Sequence, residues 1–247
     1  MVLEAVIFDM DGVLCETDEH HYQSWKSVCD EFDVPFSREL NDRLRGLTRR
    51  RSLQVILKNR QLSQEDKDEF LRRKNRYFLQ SVENMGPRDL SAGVARLLQE
   101  IRLAGIKIGV ASASRNVTPV LDRLGIDGFF DAVSDGNLVE RSKPAPDVFL
   151  RTAAALNVEA SRCLVIEDSQ AGIQAAIAAR MAVIGIGPAD RVGAADAVLE
   201  NLSKVHLGDL KAVYSACSSV RKRKDSLQIS SAKWIPTQSK FHLPLDS

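Results

Sequence analysis

The 247-residue sequence predicts an α/β fold: a parallel sheet with helices on both faces and an all-helical insertion near its start. Three observations carry this expectation. Short apolar runs alternate with amphipathic stretches from about residue 91 to 186, the pattern that builds a helix-covered parallel sheet. One further apolar run, Ala5–Phe8, precedes them by about 100 residues and has the same buried-strand texture. The block between, residues 16–87, shows only helical spacing.

The elements follow in order. Ala5–Phe8 is too short for a helix and rich in β-formers, and Asp11-Gly12 turns the chain after it. Tyr22, Trp25, Val28, Cys29 and Phe32 recur at three- and four-residue spacing, as on an amphipathic helix. Leu53, Ile56 and Leu57 mark a second helix, and residues 64–81 a third, with Phe70, Leu71, Phe78 and Leu79 among charges. Gly86-Pro87 closes the block. Ser91 is the expected N-cap of a helix carrying Val94, Leu97, Leu98 and Ile101, ended by Gly105. Strands are expected at 106–111, 132–133, 164–166 and 183–186. Helices are expected at 117–124, 148–156 and 171–181. The domains are therefore a core of residues 1–15 and 88–213, a cap of residues 16–87, and a tail of residues 214–247. The tail has no clear period and is expected to be poorly ordered, with Trp234 and Phe241 as its strong anchors.

Charge and composition exclude several classes. Hydrophobic residues make up 44% and charged residues 27%, the balance of a globular chain rather than a disordered one. From Tyr214 onward six Lys or Arg face two Asp, so the basic charge is in the tail and the body is mildly acidic. That is a poor nucleic-acid binder. The four cysteines show no CxxC pair, and four histidines give zinc little to work with. Nothing at the N-terminus reads as a signal peptide, and no apolar run reaches the roughly 20 residues that span a bilayer. The expectation is a cytoplasmic monomer without membrane or nucleic-acid partners.

Four polar clusters fall at the carboxyl ends of four predicted strands. They are Asp9-Met10-Asp11-Gly12, Ser112, Lys143 within Ser142-Lys143-Pro144, and Glu167-Asp168. In such sheets ligands sit at that edge, and a helical insertion leaving from it would roof the site. Carboxylates so gathered need a cation. All-oxygen ligands favour a hard ion, so Mg²⁺ is expected. A carboxylate beside Mg²⁺ and Lys can attack phosphorus and form an aspartyl-phosphate, with Ser and Lys holding the phosphoryl oxygens.

These four motifs resemble the signatures of the haloacid dehalogenase superfamily of phosphotransferases. Residues 110–116, 142–147 and 167–175, with Leu44–Arg49 and Arg73–Asn75, resemble the β-phosphoglucomutase family. The resemblance covers about residues 1–210 and implies a Rossmann-like core with a helical cap. It implies Asp9 as nucleophile and Asp11 as general acid/base. Asp9, Asp11 (through its backbone carbonyl), Glu167 and Asp168 would hold Mg²⁺. Ser112 and Lys143 would hold the transferring phosphoryl group. The implied reaction interconverts β-glucose 1-phosphate and glucose 6-phosphate through β-glucose 1,6-bisphosphate. Thr17, His21, Trp25, Gly46, Arg49, Ser52, Lys74, Ala113, Ser114, Arg115 and Asn116 complete the implied sugar-phosphate site. Arg49 and the Ser114–Asn116 donors suit a second phosphate away from the metal. Arg45 and Arg115 stand where the family usually has Lys. A phosphatase acting on a small sugar phosphate shares all four core motifs and is the alternative reading.

Overall fold

The computed structural model describes residues 2–228, and the side chains of residues 2–219. β1 (Ala5–Phe8) is followed by four helices: α1 (Asp18–Glu31), α2 (Arg38–Asp42), α3 (Arg49–Leu57) and α4 (Gln64–Val82). The chain then alternates α5 (Val94–Leu103), β2 (Lys107–Ala111), α6 (Val117–Leu124), β3 (Ala132–Ser134), α7 (Asp147–Ala155) and β4 (Cys163–Glu167). It continues with α8 (Gln170–Ala178), β5 (Ala182–Ile186), α9 (Ala189–Val192), β6 (Ala197–Leu199) and α10 (Leu207–Gln228).

The strands form one parallel sheet in the order β3-β2-β1-β4-β5-β6. The first strand in sequence thus lies at its centre, which is why a four-residue run is apolar throughout. Its side chains alternate between layers. Val6 and Phe8 join the cluster under α5, α6 and α10, while Ala5 and Ile7 join the one under α7 and α8. The Rossmann-like sheet of the sequence reading is therefore present, with helices on both faces.

The helices α1 to α4 bury a cluster of their own. Trp25, Val28, Cys29, Leu53, Ile56, Leu57 and Phe70 meet there, with the Phe32 ring tilted against Phe70. The lower end of α4 leaves it, and Phe78, Val82 and Met85 pack into the core of the sheet. This insertion leaves after β1 and returns before α5, so both its connections stand at the sheet's carboxyl edge.

Two local expectations need correcting. Ser91 does not cap α5. The N-cap is Gly93, at φ 86°, because residues 91–94 close a turn in which Val94 N donates to Ser91 O at 3.1 Å. The Ser91 hydroxyl is left buried without a hydrogen-bond partner among the described residues. The tail boundary at Tyr214 also falls inside a helix. Leu210, Val213, Tyr214 and Cys217 form one i, i+3, i+4, i+7 stripe of α10 against the sheet layer. Cutting the sequence at Tyr214 halves that stripe and hides its period. The Tyr214 hydroxyl donates to Ser161 O at 2.9 Å. Trp234 and Phe241 lie outside the described residues. Among those described, no helix is long and apolar enough to cross a membrane. Cys15, Cys29 and Cys163 are buried free thiols, and Cys217 is half-buried.

Truncation should divide α10 by its stripe. A chain ending at Ser219 keeps all four apolar contacts and should melt within a few degrees of the full chain. One ending at His206 loses Leu210, Val213 and Tyr214 and uncovers the apolar surface they pack on, which should cost on the order of 5 kcal/mol or more at about 1.5–3 kcal/mol per large side chain. Calorimetric melting of both chains checks this. Equal stability of the two would refute the packing role.

Candidate active site

The site begins where β1 stops. Asp9 N donates to Ile166 O at 2.9 Å, which carries the β1–β4 pairing one residue further and sets Asp9 beside Glu167. Asp9 then meets Lys143, from the loop between β3 and α7. Lys143 Nζ spends all three protons in the core: on Asp9 Oδ1 at 2.5 Å, Glu167 Oε2 at 2.8 Å and Ala111 O at 3.0 Å. All three side chains are buried. Glu167 turns its other oxygen, Oε1, to Asp168 N, Ser169 N and Ser169 Oγ. Ser169 Oγ accepts in turn from Gly172 N and so caps α8. Glu167 therefore ties the lysine to the start of α8.

The turn after Asp9 requires glycine. Gly12 has φ 78°, and a Cβ there would meet Asp168 Oδ2 at 2.3 Å. This approach brings the Asp9 loop against the end of β4. Asp9, Glu167 and Asp168 offer oxygens within 4.8 Å of one another. One ammonium cannot neutralise three carboxylates. Burial, and then Glu167, push Asp9 well above the carboxylate range against the pull of Lys143. Burial and Glu167 likewise push Asp168 up to about 7, with Arg45 opposing. Protein contacts use Asp9 Oδ1 and Asp168 Oδ2, leaving the second oxygen of each for a ligand. Three clustered oxygens, short of positive charge, fit a hard divalent cation.

Asp11 belongs to a different group. Its carboxylate accepts from Thr17 Oγ1, and His21 Nε2 lies 3.4 Å away. His21 Nδ1 is 2.8 Å from Lys74 Nζ, and the ring stacks on Phe78 at 4.4 Å between centroids. The ammonium form of Lys74 can only donate, so His21 accepts at Nδ1 and carries its proton on Nε2, toward Asp11. Burial works against the Asp11 charge, yet the His21 and Thr17 hydrogen bonds hold its carboxyl below the ordinary value. Burial and the Lys74 charge hold His21 down. Burial, then the charge of Arg49, bring Lys74 down to about 7.

One cavity between cap and sheet collects most of the predicted residues. Asp9, Asp11, Thr17, His21, Trp25, Gly46, Arg49, Ser52, Lys74, Ala113, Ser114, Arg115, Asn116 and Asp168 all line it. Trp25 does so while packed against Phe70 in the cap cluster. Ser112, Lys143 and Glu167 do not reach the cavity wall and are buried at the strand ends. His20 stays off it, as its helical phase requires.

The cap is closed on the sheet. Asn116 Nδ2 donates to Asn75 Oδ1 at 2.9 Å across the gap. Gly46, at φ 72°, lies so near α8 that a Cβ would meet Ser169 Oγ at 2.4 Å. Arg45 Nη1 donates to Asp168 Oδ2 at 3.0 Å. Arg45, Asp18 and Asn41 also line the cavity and were not among the residues expected there. Asp18 reads in sequence as an acidic first-turn residue of α1, a role the helix dipole explains without a site. The Lys-to-Arg departure at residue 45 was the available signal.

Arg49 and Arg115 are two unneutralised guanidiniums on the cavity wall. Among the described residues neither has a carboxylate in ion-pair contact, and burial, then repulsion from Arg115, bring Arg49 down to about 10. Two guanidiniums so placed call for an anion.

Comparison with known proteins adds ancestry. A family model described as haloacid dehalogenase-like hydrolase matches residues 6–186. A β-phosphoglucomutase of Bacillus subtilis is 39% identical over 209 residues, covering 83% of this chain and 92% of that protein. A fructose-1-phosphate phosphatase of Escherichia coli is 32% identical over 185 residues, covering 74% and 95%. The crystal structure of a β-phosphoglucomutase from Clostridium difficile superposes with a TM-score of 0.84 at 32% identity, covering 87% of this chain and 98% of that one.

The Lys74 environment has a signed consequence. In the folded chain Lys74 gives up its proton near 7, against 10.5 for the free side chain. Across that window the unfolded chain binds more protons, so the Lys74 contribution to stability rises with pH. The unfolding free energy of the wild type minus that of Lys74→Met should grow by about 1–3 kcal/mol between about pH 7 and about pH 9.5. Urea titration at both pH values measures it. A flat or falling difference would mean that Lys74 keeps its proton in the fold.

Proposed function

The chain belongs to the haloacid dehalogenase-like hydrolase family, and on that footing we propose that it is a Mg²⁺-dependent β-phosphoglucomutase. Its substrates would be β-D-glucose 1-phosphate and D-glucose 6-phosphate. One observation carries this reading: Arg49 and Arg115, without a carboxylate partner, share a cavity with Asp9. A phosphatase for a monophosphate needs one anion site, at its nucleophile. A mutase passes through a bisphosphate and needs a second, at the far end.

The residues fit the cycle. Mg²⁺, held by Asp9, Asp168, Glu167 and the Asp11 backbone carbonyl, would offset the negative charge gathered around the transferring phosphoryl group. Lys143 aims Asp9 by donating to Oδ1, and its charge favours the ionised form against the burial that opposes it, which suits a nucleophile. In the phosphorylated enzyme a sugar hydroxyl attacks the phosphorus of Asp9-phosphate, and the bond from phosphorus to the Asp9 oxygen breaks. Asp11 takes the hydroxyl proton, and its depressed pKa means that it enters this step as a base. The bisphosphate then turns end for end. Asp9 attacks the other phosphorus, the bond to the sugar oxygen breaks, and Asp11 returns its proton to that oxygen. Asp11 thus begins and ends ionised, and Asp9 begins and ends phosphorylated. Arg49, Arg115 and Asn116 would grip the idle phosphate, and closure of the cap would exclude water from Asp9-phosphate.

The test follows glucose 6-phosphate and free phosphate in parallel, from β-glucose 1-phosphate with Mg²⁺ and a trace of the bisphosphate. Isomerisation far in excess of phosphate release is expected. Phosphate release alone would favour the sugar-phosphate phosphatase reading, for which the Escherichia coli relative is the precedent. Asp9→Asn should abolish both activities, since an amide cannot form the acyl phosphate; substantial residual isomerisation would remove Asp9 from the role.

Arg49→Ala separates the readings further. Loss of a charge-assisted phosphate contact should lower kcat/KM for isomerisation by roughly 10- to 150-fold. Hydrolysis of Asp9-phosphate by water should fall far less, so the ratio should shift toward release. Equal loss of both activities would mean that Arg49 does not hold the far phosphate.

A further inference from the structure

Arg45 does something that neither the nucleophile nor the second anion site requires. It lies in the turn after α2, on the cap, and reaches across to the end of β4 on the sheet. Nη1 donates to Asp168 Oδ2 at 3.0 Å, and Nη2 donates to Asp18 at the start of α1. Nε lies 3.8 Å from Asp42 Oδ1, too far for a hydrogen bond, and is buried without an acceptor among the described residues. The guanidinium is 19% exposed and the Asp168 side chain 5%, so solvent screens the pair little. Asp168 is one of the three carboxylates that could hold a cation. A cap side chain therefore already puts positive charge on a prospective metal ligand. The planar fork lets one residue hold Asp18 and Asp168 together, which a single ammonium does less rigidly.

We propose that Arg45 is a resident counter-cation of the acidic cluster, so that its bridge to Asp168 and a divalent ion at the same carboxylates oppose each other. With the cluster free of metal, the bridge holds the cap down at residues 43–48. When the ion binds, Asp168 is shared with a stronger cation and the hold at this point weakens. The cap is thereby released for substrate by the same event that charges the site. The inference rests on reading Asp9, Glu167 and Asp168 as a Mg²⁺ site, and on nothing about which sugar is turned over.

Calorimetric titration of the full chain with Mg²⁺ at pH 8.5 tests it, with no substrate present. A single charge within about 5 Å of a divalent ion weakens its binding roughly tenfold even with the screening of bulk water. Arg45→Gln should therefore bind Mg²⁺ roughly tenfold more tightly than the wild type, and Arg45→Lys should stay within about threefold of the wild type. Amide exchange supplies the second readout. Mg²⁺ should speed exchange at residues 43–48 in the wild type. In Arg45→Gln it should already be fast and indifferent to the ion. If Arg45→Gln binds Mg²⁺ equally well or more weakly, or if Mg²⁺ protects these amides in the wild type, the proposal is overturned while the mutase reading stands. If neither chain binds Mg²⁺, the metal reading and this proposal fall together.

Discussion

Lys143 sits inside the core with its three protons divided between Asp9, Glu167 and a backbone carbonyl. A buried ammonium is costly unless paired, and breaking such a pair typically costs about 3–5 kcal/mol. The surroundings are arranged to meet that demand. The central strands β1 and β4 end side by side, so each delivers a carboxylate to the same point. Glu167 then has one oxygen for the lysine and one for the start of α8. Gly12 lets the chain leave without striking Asp168. The Asp9 carboxylate is thus held by Lys143 and, through it, by Glu167, neither of which is itself on the cavity wall.

The charge balance at this centre explains how the cap is engaged. One lysine leaves the three-carboxylate cluster net negative, and the cap answers with Arg45 on Asp168. Farther along the cavity the sign reverses: Arg49 and Arg115 repel each other and lower the proton affinity of their neighbours. The cavity is therefore a dipole, acidic at Asp9 and basic at Arg49. A bisphosphate with a divalent ion at one end matches it. Between the poles, the Lys74, His21 and Asp11 chain places a neutral imidazole where a second full positive charge would be unfavourable.

The sequence by itself determined the layered sheet, the helical insertion and the four polar clusters, because each depends on local pattern. Apolar runs specify strands, i, i+3, i+4 stripes specify helices, and a turn after a parallel strand puts polar residues at one edge. It placed Gly105 and Gly125 correctly at helix ends, since left-handed backbone has few other solutions. It missed β6, a three-residue strand, and the short helices α2 and α9, which lack the length to show a period. The tertiary structure alone decided the rest. Tyr214 reads as the start of a tail until the sheet shows what its stripe packs against. Asp18 carries no signal of its own in the sequence, and Arg45 stands out there only as a departure from the family's Lys, because its partner, Asp168, is 123 residues away. Which carboxylate is paired with lysine is set where β1, β4 and the β3–α7 loop meet, and which faces a histidine is set by α1 packing over the turn after β1. Such long-range pairings leave no periodicity in the chain, and only folding brings their charges within reach of one another.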